Sequence, residues 1–315
     1  MIRCFAFLCI ATLLCSTGPL EAARASPKRS FVGTITPYRL PSDGDATAIT
    51  SGPDGNLWFV DTFLPGIDRM TTAGAVTGEF VTPHAADGAW GIATGPDGNL
   101  WFTEQDDKNV GRIGRITTAG AITEYTLPAG SDPSDITSGP DGNLWFAQAN
   151  AQKIGRITPA GEVTEFAVGG ALMGAITAGP DGNLWFVECG GAIGRITTAG
   201  TIREFPARGT CDGQPSIVRG PDGKLWFANG GHIGRISLSG VITQFVPRYD
   251  PDSIAAGPDG NVWFVKREAN LIGRITPAGV LTKFPTKFGQ APAKITVGPD
   301  GNLWITAGNK VAKIT

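Results

Sequence analysis

Histidine is nearly absent from this chain: the 315 residues contain two, His84 and His232. No H-E-x-x-H pair and no G-x-S-x-G elbow occurs. The common zinc-protease and α/β-hydrolase signatures are therefore excluded. Basic runs are missing as well. Lys+Arg 26 stands against Asp+Glu 28, for a net charge of −2, so no cationic field is available for nucleic acid. Long apolar runs are also lacking. The stretch CFAFLCIATLL near the start falls well short of the ~20 residues a membrane-spanning helix needs. No segment sustains a 3.6-residue apolar period, so helices are expected to be scarce.

The first residues carry the pattern of an export signal. Arg3 precedes the apolar stretch, and Ala23-Arg24-Ala25 offers a small-x-small cleavage site before Ser26. Residues 1–25 are read as a signal peptide and 26–315 as one domain, secreted or periplasmic and without a membrane anchor. Leu14 before Cys15 argues against lipid attachment there. Cys4, Cys9 and Cys15 leave with the signal, so Cys189 and Cys211 remain. In an oxidising compartment these two permit one disulfide; two buried free thiols are the alternative.

What the chain does have is repetition. GPDGNLWF stands at 52–59 and recurs unchanged at 95–102, 139–146 and 179–186. Near copies start at 220, 257 and 298. A period near forty with short apolar runs between turns fits four-stranded propeller blades. In the second repeat GAWGIAT, NLWFTE, IGRIT and AITEYTL read as successive strands. The glycines of GPDG serve a tight turn before a strand. They lack the Lys-Ser/Thr ending of a phosphate-binding loop. The chain stops at VAKIT, a third strand with no fourth after it, while residues 34–40 match a fourth strand with no blade before it. Pairing these ends closes an all-β, seven-bladed β-propeller and removes its open sheet edges.

Two ends of each blade follow from this topology. GPDG and T-x-A-G turns share one end. The loop after W-F-x-E and the entry to the next first strand share the other, where the sequence varies most and a rigid scaffold presents function. The repeated arginines Arg115, Arg156, Arg195, Arg235 and Arg274 recur blade after blade and read as scaffold.

The unit GPDGNLWFxE…IGRITxxGxxTEF, over residues 31–315, resembles the repeat of the streptogramin B (virginiamycin B) lyase family. The resemblance implies a seven-bladed propeller. It further implies a Mg²⁺-aided elimination across the ester of a cyclic depsipeptide, with histidines opening first strands and glutamates ending second strands. Proton abstraction next to a carbonyl needs such a base and an electrophile.

Here the first-strand position holds Thr47, Trp90, Ser134, Gly174, Pro215, Asp252 and Ala293, none of them histidine. The second-strand position holds Asp61, Glu104, Gln148, Glu188, Asn229, Lys266 and Ala307. His84 lies in a blade connection and His232 beside IGRI, where a solvated or edge-strand role suits both. Asp61 and Glu104, with the acidic loop Gln105-Asp106-Asp107, are candidate ligands for Mg²⁺ or Ca²⁺; a solvated acidic loop is the alternative. Trp90, the one tryptophan outside the repeat position, is a candidate stacking platform for a sugar or aromatic ligand at the mouth; packing under the second blade's loop is the alternative. The expected function is binding of a small molecule or glycan at the central mouth by a monomer, using Trp90, Asp61, Gln148, Asn229, Asp252 and Lys266. One alternative is a carbon–oxygen lyase with Glu104 or Glu188 as base; another is a protein-interaction platform.

Overall fold

The computed structural model describes residues 33–315 except 42, 85–88, 106–109, 171, 189–190, 211–213, 246–250 and 287–288. The proposed signal, the acidic pair Asp106-Asp107, and both Cys189 and Cys211 lie outside the described residues. The described residues form seven four-stranded antiparallel sheets and contain no helix. In the second blade the strands run Ala89–Thr94, Leu100–Gln105, Gly111–Ile116 and Ile122–Thr126, inner to outer. Ring closure takes the form expected: the N-terminal strand Ile35–Arg39 pairs with the C-terminal Lys310–Ile314, Ile35 opposite Ile314.

The octapeptide builds this scaffold through its tryptophan. In every blade the indole Nε1 donates to the aspartate of its own GPDG turn at 2.9–3.1 Å. Each indole also stacks on an aromatic ring of the outermost strand, from Tyr38 in the closing blade to Phe284 in the sixth. One such indole buries on the order of 200 Å², worth roughly 5 kcal/mol at ~25 cal/mol/Å². Burial pushes the turn carboxyls up, but hydrogen bonds from Trp and Asn outweigh it and hold Asp54, Asp141 and Asp181 below the usual range. Asp300, which also pairs with Lys313, falls to about 2.

The repeated arginine lies over the indole and ties one blade to the next. Arg156 stands 5.7 Å from the Trp145 ring and donates to Thr198 O in the following blade. Arg69, Arg195 and Arg235 do likewise with Thr118, Leu238 and Pro277. Lys313 fills this place in the closing blade and reaches Thr72 O of the first. The scaffold reading of these residues is thereby given its geometry.

Glycine is required at the first position of the turn. A Cβ on Gly95 would fall 2.4 Å from the Trp101 ring, so a side chain there would displace the indole. The last glycine, Gly98, instead faces open space but holds φ +73°, the left-handed region. In the third strand a glycine lies under the phenylalanine of W-F: a Cβ on Gly114 would meet Phe102 Cζ at 2.0 Å. The first blade departs from this rule, placing Asp68 opposite Phe59.

Candidate functional site

The innermost strands line the axis, so the loops entering them frame its mouth. At the end away from the GPDG turns, a cavity of about 210 Å³ opens across blades six, seven and one. Asp45, Thr47, Arg267, Gln290, Ala293 and Gly308 line it. Thr47 and Ala293 occupy the first-strand position singled out in the sequence, and the Thr47 hydroxyl is buried without a hydrogen-bond partner. Asp252, at the same position in blade six, accepts from the Arg267 backbone N–H at 2.6 Å and lies 3.8 Å from its guanidinium. That double contact orients a half-exposed cation toward the mouth. Trp90, the equivalent residue of blade two, is 56% exposed while the other seven indoles are buried.

Second-strand positions behave differently from the rim residues the sequence suggested. Asp61, Glu104, Gln148, Glu188 and Asn229 are all buried. The second strand is covered on both faces by neighbouring blades, so its last residue shares the covered face of the phenylalanine two places earlier. Gln148 shows the direction taken: its Nε2 donates to Glu165 on the outermost strand, which also pairs with Lys153 at 2.7 Å. Glu188 has no cationic partner among the described residues; burial, then the neighbouring Glu204 of the outermost strand, pushes its carboxyl up to about 7. Glu188 Oε1 and both polar atoms of Asn229 have no hydrogen-bond partner. Lys266 ion-pairs with Glu268 at 3.5 Å.

Asp61 and Glu188 end second strands of blades one and four, and Glu104 is the last but one residue of that strand in blade two. Among the described residues no three Asp, Glu, His or Cys side chains approach closely enough to hold a metal ion. Asp61 Oδ1 is already occupied by the N–H groups of Asp45, Phe63 and Leu64. The described donor set therefore does not fit a Mg²⁺ centre.

The virginiamycin B lyase family model matches residues 23–227 and 207–315. A virginiamycin B lyase from Staphylococcus aureus superposes with a TM-score of 0.80 at 34% identity, covering 90% of this chain and 99% of that one. A streptogramin B lyase gives 0.81 at 31% identity, covering 90% and 97%. This chain belongs to the virginiamycin B lyase family. A third similar structure, with a TM-score of 0.80 and 34% identity over 90% and 99%, is a catalytically inactive histidine-to-alanine variant of the Staphylococcus aureus enzyme with quinupristin. No curated protein is significantly similar in sequence.

Against this family background the two histidines stand apart from the mouth cavity. His84 is exposed on a blade connection and contacts Glu124 of an outer strand at 2.5 Å. His232 opens the third strand of blade five, opposite Asn229.

Sequence reasoning missed Arg267, Gln290 and Asp45, which come from loops with no repeat register to count in. It also missed Asp135 and Lys294, one residue further along the first strands. Burial pushes the Asp135 carboxyl up, against the attraction of Lys294 and hydrogen bonds from the Ile176 and Ile136 N–H groups. The Ile176 bond crosses to the next blade, as Ser216 does to Ile254 and Ser253 to Ile295. Counting the column beside each first-strand isoleucine would have revealed this ring of polar staples.

Proposed function

We propose that this family member binds a small molecule or glycan at the central mouth and does not perform histidine-dependent elimination. The observation carrying this reading is the mouth cavity itself. Asp252 orients Arg267 there, and the Thr47 hydroxyl has no partner, at first-strand positions that hold no histidine. Arg267 supplies planar donors for carboxyl, carbonyl or hydroxyl oxygens. Trp90, exposed in blade two at the first-strand position that Thr47 holds in blade one, supplies a face for a sugar or aromatic ring. The structure of the inactive Staphylococcus aureus variant with quinupristin makes quinupristin the first probe to use.

A second reading, a carbon–oxygen lyase with a carboxylate base, is favoured by Glu188 alone. A carboxyl held near 7 by burial and Glu204 can exchange a proton at neutral pH. Its position within the blade seam, 3% exposed, argues against direct contact with a substrate at the mouth.

One incubation separates the two. Quinupristin with and without Mg²⁺ is titrated into the protein and then analysed by mass spectrometry for a linear product. Intact quinupristin whose binding is weakened by Arg267→Ala supports the mouth reading. A linear product that disappears in Glu188→Gln establishes the lyase instead.

Export is likewise proposed, on the pattern of residues 1–25. N-terminal sequencing of the mature protein should begin at Ser26.

A further inference from the structure

A second cavity, of about 190 Å³, opens on the flank of the first blade, away from the axis. Three carboxylates line it: Asp61 at the end of the second strand, Asp68 on the third and Glu79 on the outermost. Leu64, Phe80 and Val81 form its apolar wall. Six blades hold glycine or alanine where the first blade holds Asp68. The carboxylate is thus a local departure from a rule set by packing against phenylalanine.

Two of the three acids are buried without a cationic partner among the described residues, while Glu79 stands exposed at the rim. Asp61 Oδ1 is held by three backbone N–H groups, which leaves Oδ2 and Asp68 to be explained. Asp61 is 1% exposed, and its Oδ2 is buried with no hydrogen bond. Asp68 is 5% exposed and forms neither a hydrogen bond nor an ion pair with any described residue. Arg39, on the adjacent closing strand, is taken up by Asp43. No described lysine or arginine forms an ion pair with Asp61, Asp68 or Glu79. Burial, with Asp61 and Glu79 adding repulsion, pushes the Asp68 carboxyl up to about 7. Keeping Asp68 ionised beside the buried Asp61 is therefore costly unless a cation occupies the cavity, and without one Asp68 takes up a proton.

The shape selects the kind of cation. A divalent metal demands six or more oxygens at short range, and the described acids do not assemble into a metal-holding group. An ammonium head offers three N–H donors to separate carboxylates, while its alkyl stem covers an apolar wall. We propose that this cavity binds a small protonated alkylamine, its ammonium held by Asp61, Asp68 and Glu79 and its chain against Leu64, Phe80 and Val81.

The site is separate from the mouth and stands or falls independently of the function proposed there. The test is calorimetric titration of the full chain with n-butylammonium. A Kd of roughly 1 mM is expected for so few atoms in a half-open site. Asp68→Gly installs the residue five other blades use, so the blade keeps its packing, and an unchanged or raised Tm confirms folding. It should weaken n-butylammonium by at least about tenfold, and Glu79→Gln should weaken it by severalfold. n-Butanol, of the same shape without charge, should not bind. The proposal is overturned if n-butylammonium gives no saturable heat, if Asp68→Gly binds it unchanged, or if Ca²⁺ or Mg²⁺ binds these carboxylates more tightly than the amine.

Discussion

Replacing Asp68 by asparagine should stabilise the protein, and the gain should depend on pH in a defined direction. The Asp68 carboxyl sits near 7 in the fold, against an ordinary 3.8, because burial first and then Asp61 and Glu79 disfavour its charge. A folded-state pKa above the unfolded value means that the fold holds the extra proton between these limits. The contribution of Asp68 to stability therefore falls as pH rises from about 4 to about 7, and is level beyond. At 1.36 kcal/mol per pKa unit the full shift corresponds to roughly 4 kcal/mol. Asp68 borders a cavity open to solvent, so water and counterions screen it, and about 2 kcal/mol is the working figure. Asparagine keeps the shape and cannot ionise. Urea unfolding of both proteins at pH 4, 5.5, 7 and 8 reads the difference directly. Asp68→Asn should match wild type at pH 4 and exceed it by about 2 kcal/mol at pH 8. A pH-independent difference, or a variant less stable at pH 8, would refute the reasoning about this buried charge.

Three further outcomes are expected. Iodide should quench one tryptophan, Trp90, because the other seven indoles are shielded; Trp90→Phe should remove that fraction, and persistence of the quenching would show that the mouth residue is not the exposed one. Tyr38→Ala should cost about 3 kcal/mol by removing the stack on Trp304 at 5.6 Å that seals the ring. Thr36→Ala on the same strand should cost under about 0.5 kcal/mol, and equal costs would deny Tyr38 that role. Cys189 and Cys211 are proposed to form a disulfide, since the neighbouring backbones meet: a Cβ on Gly191 would fall 2.6 Å from Ala207 O. Intact mass with and without reductant decides it, and a bridge should contribute about 3 kcal/mol; two thiols alkylated without reduction would rule it out.

The scaffold was legible because each of its requirements repeats. A turn needs positive φ at Gly98, an indole needs its aspartate, and a cation, arginine in six blades and Lys313 in the seventh, lies over each indole; the sevenfold repetition makes these demands visible as a pattern. The exchange of chain ends was equally readable, since an unpaired strand at each terminus leaves two edges that only each other can cover. The family followed from the same octapeptide.

The site was not legible in this way, and the reason is directional. Sequence counting located Asp61, Glu104, Gln148 and Glu188 at one end of the blades, and the strands do end there. Which way their side chains turn depends on neighbouring sheets covering both faces, and that packing draws them into the seams and away from the mouth. The mouth is instead assembled from Asp45, Arg267 and Gln290, on loops from three blades with no shared register, which only ring closure brings together. Asp68 lies between these cases. Its place in a glycine column can be read from the letters, but its raised pKa arises first from burial and then from Asp61 and Glu79 on flanking strands, and only the folded blade supplies these.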